Sequence, residues 1–261
     1  MKKLILLLFI PIFFACSDES ADDETPNNDG KKLESFNAIY CEDCEGSNAV
    51  YSYENNQLTS VDWEYYITNG EGEVTSVSDG FTTIHHYDET VAINNNGVIS
   101  EIPINSDGTI DSENWIFENG YLQTMIGQAS GGDNNFEWSN GNLINLYQTS
   151  IQGEVTENNW DAEYSSSDDL TGWLSWPLFI GSSYFGFADE YQQWMIGLWG
   201  KGANKLPSSI EFSYANGSSL SQYYYTFDDE GYPVQISIND TTTENGNTDT
   251  RTRVYEVTYT D

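Results

Sequence analysis

The residues with most capacity for chemistry are three cysteines, two histidines and carboxylates that recur in adjacent pairs. Cys41-Glu42-Asp43-Cys44 has the spacing of a redox dithiol. A reactive thiolate needs a cation or a helix N-terminus beside it, and the two intervening carboxylates act in the opposite sense. In an exported protein the pair reads instead as a short structural disulfide between Cys41 and Cys44. Zinc would require a second Cys or His pair at ligand spacing, which the sequence lacks. His85 and His86 are neighbours, so on a strand they point to opposite faces and cannot share one ion. We expect no metal and no other cofactor.

Glu42-Asp43, Asp168-Asp169 and Asp189-Glu190 are pairs of the kind a glycan hydrolase sets on either side of one bond. With 42 Asp and Glu in the chain such pairs arise by chance, and they read as solvated surface. Asp228-Asp229-Glu230-Gly231 lacks the spaced oxygen ligands and closing Glu of an EF-hand loop, so it reads as a turn. No Gly-x-Ser-x-Gly elbow is present. The expectation is a non-enzymatic protein with no catalytic residue.

The N-terminus is an address. Met1-Lys2-Lys3, the apolar run from Leu4 to Phe14 and Ala15-Cys16 form a charged region, a short apolar core and a small residue before cysteine. This predicts a signal peptide over 1–15. Phe13-Phe14-Ala15-Cys16 resembles a bacterial lipobox, which implies acylation of Cys16, palmitate among the chains, and attachment to a membrane through the N-terminal lipid. Buried acyl chains contribute about 0.8 kcal/mol per CH₂, so two or three of them hold a domain durably. Residues 16–34 are then a lipid-anchored acidic tether, beginning Ser17-Asp18-Glu19, which carries too little apolar material to fold. That start is similar to the acidic export signal of many Bacteroidota lipoproteins, and implies the outer membrane, facing the cell surface.

Charge excludes one partner class. Lys+Arg number 8 against 42 acids, a balance of 8 − 42 = −34, and losing Lys2 and Lys3 with the signal leaves 6 − 42 = −36. Nucleic acid is not a partner for such a surface.

Residues 35–261 read as a single β-rich domain. Aromatic and β-branched residues alternate with polar ones between Asn-Gly and Asp-x-Gly turns. Tyr51 to Val61, Trp115 to Met125 and Phe136 to Leu146 align without gaps, each with aromatics at its first and third positions, a turn, and an aliphatic pair three apart. Their turns, Asn55-Asn56, Asn119-Gly120 and Asn140-Gly141, suit two-residue hairpins. A turn one residue longer is expected before Gly97, Gly108 and Gly231, with glycine closing a bulged hairpin. Phe212 to Gly217 combines features of both. Around Trp173 the pattern changes to nearly continuous apolar sequence, and Phe187, Tyr191, Trp194, Met195 and Leu198 then recur at helical spacing. This predicts one helix over 184–199 that plugs the sheet.

Tyr225-x-Phe227-Asp228-x-x-Gly231-Tyr232-Pro233, Gly200 to Pro207 with Asn204-Lys205-Leu206-Pro207, and the lipoprotein start resemble a Bacteroidota lipoprotein family of unknown function described as having a porin-like fold. The resemblance implies an architecture and no activity.

The expected fold is therefore all-β with one helix, a curved antiparallel meander of hairpins forming a barrel-like or half-open sheet. The expected function is a non-enzymatic binding or interaction module whose partner is an envelope protein, a glycan or a hydrophobic ligand. Two alternatives are a carrier of a lipid or other hydrophobe, its cavity lined by Trp173, Trp176, Phe179, Trp194 and Trp199, and a glycan hydrolase. Because the chain ends Tyr259-Thr260-Asp261 and is densely acidic, the sheet is expected to stand outside the bilayer.

Overall fold

Alternating aromatic, β-branched and polar residues give fifteen strands in the computed structural model, which describes residues 31–41, 45–68, 74–127, 132–150, 155–164 and 198–260. They are β1 (Lys32–Cys41), β2 (Glu45–Glu54), β3 (Gln57–Thr68), β4 (Val74–His86), β5 (Thr90–Asn95), β6 (Val98–Pro103), β7 (Trp115–Glu118) and β8 (Tyr121–Met125). The remainder are β9 (Asn134–Ser139), β10 (Asn142–Thr149), β11 (Val155–Tyr164), β12 (Pro207–Tyr214), β13 (Gly217–Phe227), β14 (Pro233–Glu244) and β15 (Asn247–Thr260). Strand β1 begins at Lys32, so Lys32 to Glu34, read from sequence as tether, belong to the sheet. Among the described residues there is no helix. The helix expected over 184–199 lies outside them, apart from Leu198 and Trp199, which occupy a turn.

The strands form one sheet in the order β6-β5-β4-β3-β2-β1-β15-β14-β13-β12-β11-β10-β9-β8-β7. Every neighbouring pair is antiparallel, including β1 with β15, which joins the two ends of the domain. The edges, β6 and β7, are consecutive in sequence. If β1 is taken as running upward, alternation makes both β6 and β7 run downward. An odd number of antiparallel strands cannot close on itself with antiparallel pairing, and among the described residues no strand pairing joins these two edges.

Turn chemistry follows the sequence closely. Asn55 (φ 50°) with Asn56 (φ 67°), Asn119 (55°) with Gly120 (78°), and Asn140 (51°) with Gly141 (73°) take the left-handed conformation of two-residue hairpins. Asn96-Gly97 does the same, because Asn95 pairs directly with Val98, so this turn is a residue shorter than expected. The loops 105–109 and 228–232 are the longer kind: the Gly108 and Gly231 N–H groups donate to the carbonyls of Asn105 (2.9 Å) and Asp228 (3.1 Å), with both glycines at positive φ.

The aliphatic pairs three apart have a mechanical cause. On a regular strand residues three apart face opposite sides. Here one extra residue is inserted near the start of six upward strands: Glu34 in β1, Thr59 in β3, Gln123 in β8, Ile144 in β10, Ser208 in β12 and Val234 in β14. Each bulge brings both members of a pair inward, so Leu58 and Val61, Leu122 and Met125, and Leu143 and Leu146 are all at most 5% exposed.

The bulge also frees a carbonyl. The ladder to the following strand starts only at Ser60, Thr124, Asn145, Ser209 and Gln235, two residues beyond Leu58, Leu122, Leu143, Pro207 and Pro233. A side chain from that following strand takes each free carbonyl. His86 Nε2 lies 2.9 Å from the Leu58 oxygen, Trp138 Nε1 donates to Leu122 (2.7 Å), Tyr164 Oη to Leu143, Tyr225 Oη to Pro207 (2.7 Å) and Tyr259 Oη to Pro233 (2.7 Å). Backbone polar groups must be satisfied when buried, and this device satisfies them at the lower end of the sheet.

The inner face is a continuous apolar core. Ile84, Leu122, Leu143, Ile210, Ile236 and Val257 are at most 2% exposed. Phe36 stacks on Tyr255 at 4.6 Å across the β1–β15 junction, and Trp160 on Phe212 at 4.3 Å across β11–β12.

Tyr225→Phe keeps the ring and removes the donor to Pro207. An orphaned buried carbonyl costs about 1–3 kcal/mol, so the urea midpoint should fall with the slope unchanged. A variant as stable as wild type would show that water replaces the hydroxyl.

Candidate functional site

Two places in the sheet concentrate polar side chains against this core. The first is on the inner face of β13–β15. Asp240 Oδ2 accepts from Arg253 Nε at 2.8 Å and lies 2.7 Å from Nη2, while Oδ1 accepts from Ser221 Oγ at 2.6 Å. Both side chains are 16% exposed. Arg253 Nη1 also reaches the Tyr255 hydroxyl at 3.5 Å. Burial alone would lower the Arg253 pKa, but the neighbouring Tyr255, Asp240 and Tyr223 outweigh it and hold the guanidinium charged. Burial pushes the Tyr223 hydroxyl upward. With both carboxylate oxygens engaged, Asp240 ties three strands together and is poorly placed to accept a substrate proton.

The second place is the lower end, at the start of β1. Lys31 Nζ pairs with Asp228 at 3.1 Å and Glu230 at 2.6 Å, and lies 5.1 Å from the centre of the Tyr232 ring. The Asp228 carboxylate accepts backbone N–H bonds from Tyr232 (2.8 Å) and Glu230 (3.0 Å), which with Lys31 hold its pKa below the usual range. The segment read as a turn is thus a clasp holding Lys31 just ahead of β1.

Beside it, Leu198 to Leu206 runs as a strap across the lower hairpins. Lys201 N donates to Gly120 O (2.7 Å), Asn204 N to Gly141 O (2.9 Å) and Lys205 N to Asn142 Oδ1 (3.0 Å). Gly200 is required, because it sits at φ +79° and a Cβ there would lie 2.3 Å from the Gly120 oxygen. On the other side of the sheet opening, Ile110 N donates to Leu198 O (2.9 Å) and Asp111 N to Pro103 O (2.9 Å). The strap and this stub together join the lower ends of the two edges.

Of the aromatics expected to line a cavity, Trp199 is 2% exposed and meets Trp115 edge-on at 5.3 Å. It is part of the core. Trp173, Trp176, Phe179 and Trp194 lie outside the described residues, as do Cys16, Cys44 and the pairs Glu42-Asp43, Asp168-Asp169 and Asp189-Glu190. The register places Cys41 opposite Arg253. His85 is exposed while His86 turns inward to Leu58. Among the described residues no three His, Cys, Asp or Glu side chains converge closely enough to hold a metal ion. The Asp240–Arg253 pair and the Lys31 clasp escaped sequence reasoning, because neither spacing nor motif marks them among so many acids.

Comparison with solved structures finds a porin-like protein from Bacteroides uniformis ATCC 8492, 18% identical, covering 87% of this chain and 96% of that one with a TM-score of 0.54. A porin-like protein from Bacteroides vulgatus ATCC 8482 matches at 12% identity over 88% of this chain and 99% of that one, with a TM-score of 0.40. No protein-family model matches the chain, and no curated protein matches it. The likeness to the first structure shows a shared fold: the chain is built like a protein described as porin-like.

Two outcomes follow from the site. Trp199→Ala should destabilise by about 3–5 kcal/mol, seen as a lower melting temperature; an unchanged melt would remove Trp199 from the core. Second, burial pushes the Tyr53 hydroxyl up to about 12, and raises Tyr164, Tyr223, Tyr225 and Tyr259 as well. Each folded value exceeds the unfolded one of about 10, so the stabilisation is fully present below pH ~10 and is lost as pH rises through ~12. Urea midpoints should fall over that window as tyrosinate absorbance rises; a flat midpoint would contradict it.

Proposed function

We propose that the protein is a lipid-anchored, non-enzymatic binding module of the outer membrane, facing the cell surface, with Cys16 as the acylated residue. The observation that carries this reading is the position of Lys31. The clasp fixes the tether's exit at the lower end of the sheet, fifteen residues from Cys16, and a flexible chain of that length has a reach on the order of 20 Å. The lower end then lies toward the membrane. The opposite end, carrying the turns Asn96-Gly97, Ala215-Asn216 and Asn245-Gly246, lies toward partners.

Two further features support a water-facing domain over a pore. Exposed carboxylates stand on the outer wall at Glu34, Asp62, Glu101, Glu137, Asp161, Glu211 and Glu256, a pattern hydrocarbon would oppose. The inner face carries a contiguous cluster of buried apolar side chains where a pore would need a wet lining. The filled core at Trp199 also favours binding at the surface over carriage of a hydrophobe in the interior. A partner meeting 6 − 42 = −36 charges is basic or neutral, an envelope protein or an uncharged glycan. Cys41 and Cys44 form a disulfide in this reading, since an exported protein meets an oxidising compartment.

The reading is tested by labelling and topology. Wild-type protein should incorporate labelled palmitate and partition into detergent, and Cys16→Ala should do neither. On anchored protein, a lipid-phase quencher should dim a fluorophore at Asn56 more than one at Asn245. Labelling that persists without Cys16, or equal quenching, would reject the anchor or the orientation respectively.

A further inference from the structure

We propose that the edge of β6, which no other described strand pairs, is a docking site for an extended, basic peptide strand, a site for the binding role proposed above and resting on that reading. The hairpin register determines which backbone groups are available. Asn95 and Val98 flank a two-residue turn and exchange hydrogen bonds, so Val98, Ser100 and Ile102 face β5, while Ile99, Glu101 and Pro103 face the edge. Two backbone bonds agree with this assignment: Ile104 N donates to Glu89 O (3.0 Å) on the β5 side, and Asp111 N donates to Pro103 O (2.9 Å) on the edge side.

Among the described residues nothing pairs with the N–H and C=O groups of Ile99 and Glu101, which leaves four backbone hydrogen bonds to offer. Val98 and Ile99, 69% and 65% exposed, are the most exposed large hydrophobics among the described residues. Natural edges are usually blunted by bulges, charge or proline, and here Pro103 blocks only the lower end.

Direction and composition of the occupant follow. The stub at Ile110–Asp111 already runs antiparallel to β6 through the Ile104–Ile110 bridge, then turns away at Ser112 into β7. A peptide continuing that line would pair with Glu101 and Ile99. Since β6 and β7 run the same way, a strand antiparallel to one is antiparallel to both, and one added strand makes the count sixteen and even. Glu101 lies on the edge itself. Glu89, Asp107, Asp111 and Glu113 are exposed around its lower end, so the complementary peptide alternates basic residues, on the Glu101 face, with apolar ones.

The test uses the full mature chain and a short fluorescein-labelled peptide of alternating Lys and Val. Binding should saturate, and the Ile99 and Glu101 amides should gain hydrogen-exchange protection while those of Val98, Ser100 and Ile102 stay as they were. Glu101→Pro removes an N–H that β5 does not use, so it should fold as wild type and weaken binding by about tenfold or more. Unchanged exchange at Ile99 and Glu101 with bound peptide would overturn the site, whether or not the proline variant folds. So would wild-type affinity in a folded Glu101→Pro. Equal binding of a Glu-Val peptide would overturn the basic occupant. Retained wild-type anchoring and orientation in any of these cases would leave the binding-module reading standing.

Discussion

A buried backbone carbonyl must find a donor, and the lower end of this sheet is organised around that constraint. Each inserted residue, from Thr59 to Val234, turns two consecutive core positions inward and splays the strand from its next neighbour. The splay leaves the carbonyls of Leu58, Leu122, Leu143, Pro207 and Pro233 outside the ladder, and a side chain with an apolar ring and a polar tip closes each gap. Tyrosine, tryptophan and histidine are suited to this, because the ring extends the core while the tip satisfies the carbonyl. The same burial pushes the tyrosine hydroxyls up, so the protonated donor persists through neutral pH.

Repetition of this unit explains why the sheet curves and why it fails to close. Bulges increase local twist and coil a sheet, and here they sit at one end of most upward strands. The fifteen described strands leave two edges that run the same way, so these two edges cannot pair directly as antiparallel neighbours. The chain bridges the lower part with short backbone contacts, from Pro103 through Asp111 and Ile110 to Leu198, and from Lys201 to Gly120. Above them the β6 edge remains unpaired among the described residues.

Much of this was legible in the sequence, for a physical reason. Asn-Gly turns and the aromatics of Tyr51-x-Tyr53 or Phe136-x-Trp138 are local signals, and the structure reads them as written. The spacing of three in Leu58/Val61 was equally visible; on a strand it implies an inserted residue, so the bulge was encoded there as well. The β5–β6 turn was read one residue too long, because Gly97 fits either turn type and only the Asn95–Val98 pairing distinguishes them. The Asp240–Arg253 pair and the Lys31 clasp join residues 13 and about 200 positions apart. No local pattern carries such contacts.

Sharing a fold with a protein described as porin-like does not transfer conduction, since the two sides of a sheet decide that separately. A membrane channel needs an apolar outer band and a wet interior. In this chain Glu211, Glu256 and Asp62 stand exposed outside together with Val50, Phe81 and Tyr224, while Ile236, Leu122 and Val257 are buried on the inside. Because side chains alternate along each strand except at the bulges, a slip of one residue would turn the buried set outward. Five of the bulges oppose such a shift, since each seats a carbonyl against a ring from the following strand. The interaction that satisfies the lower backbone therefore also holds the register of the sheet.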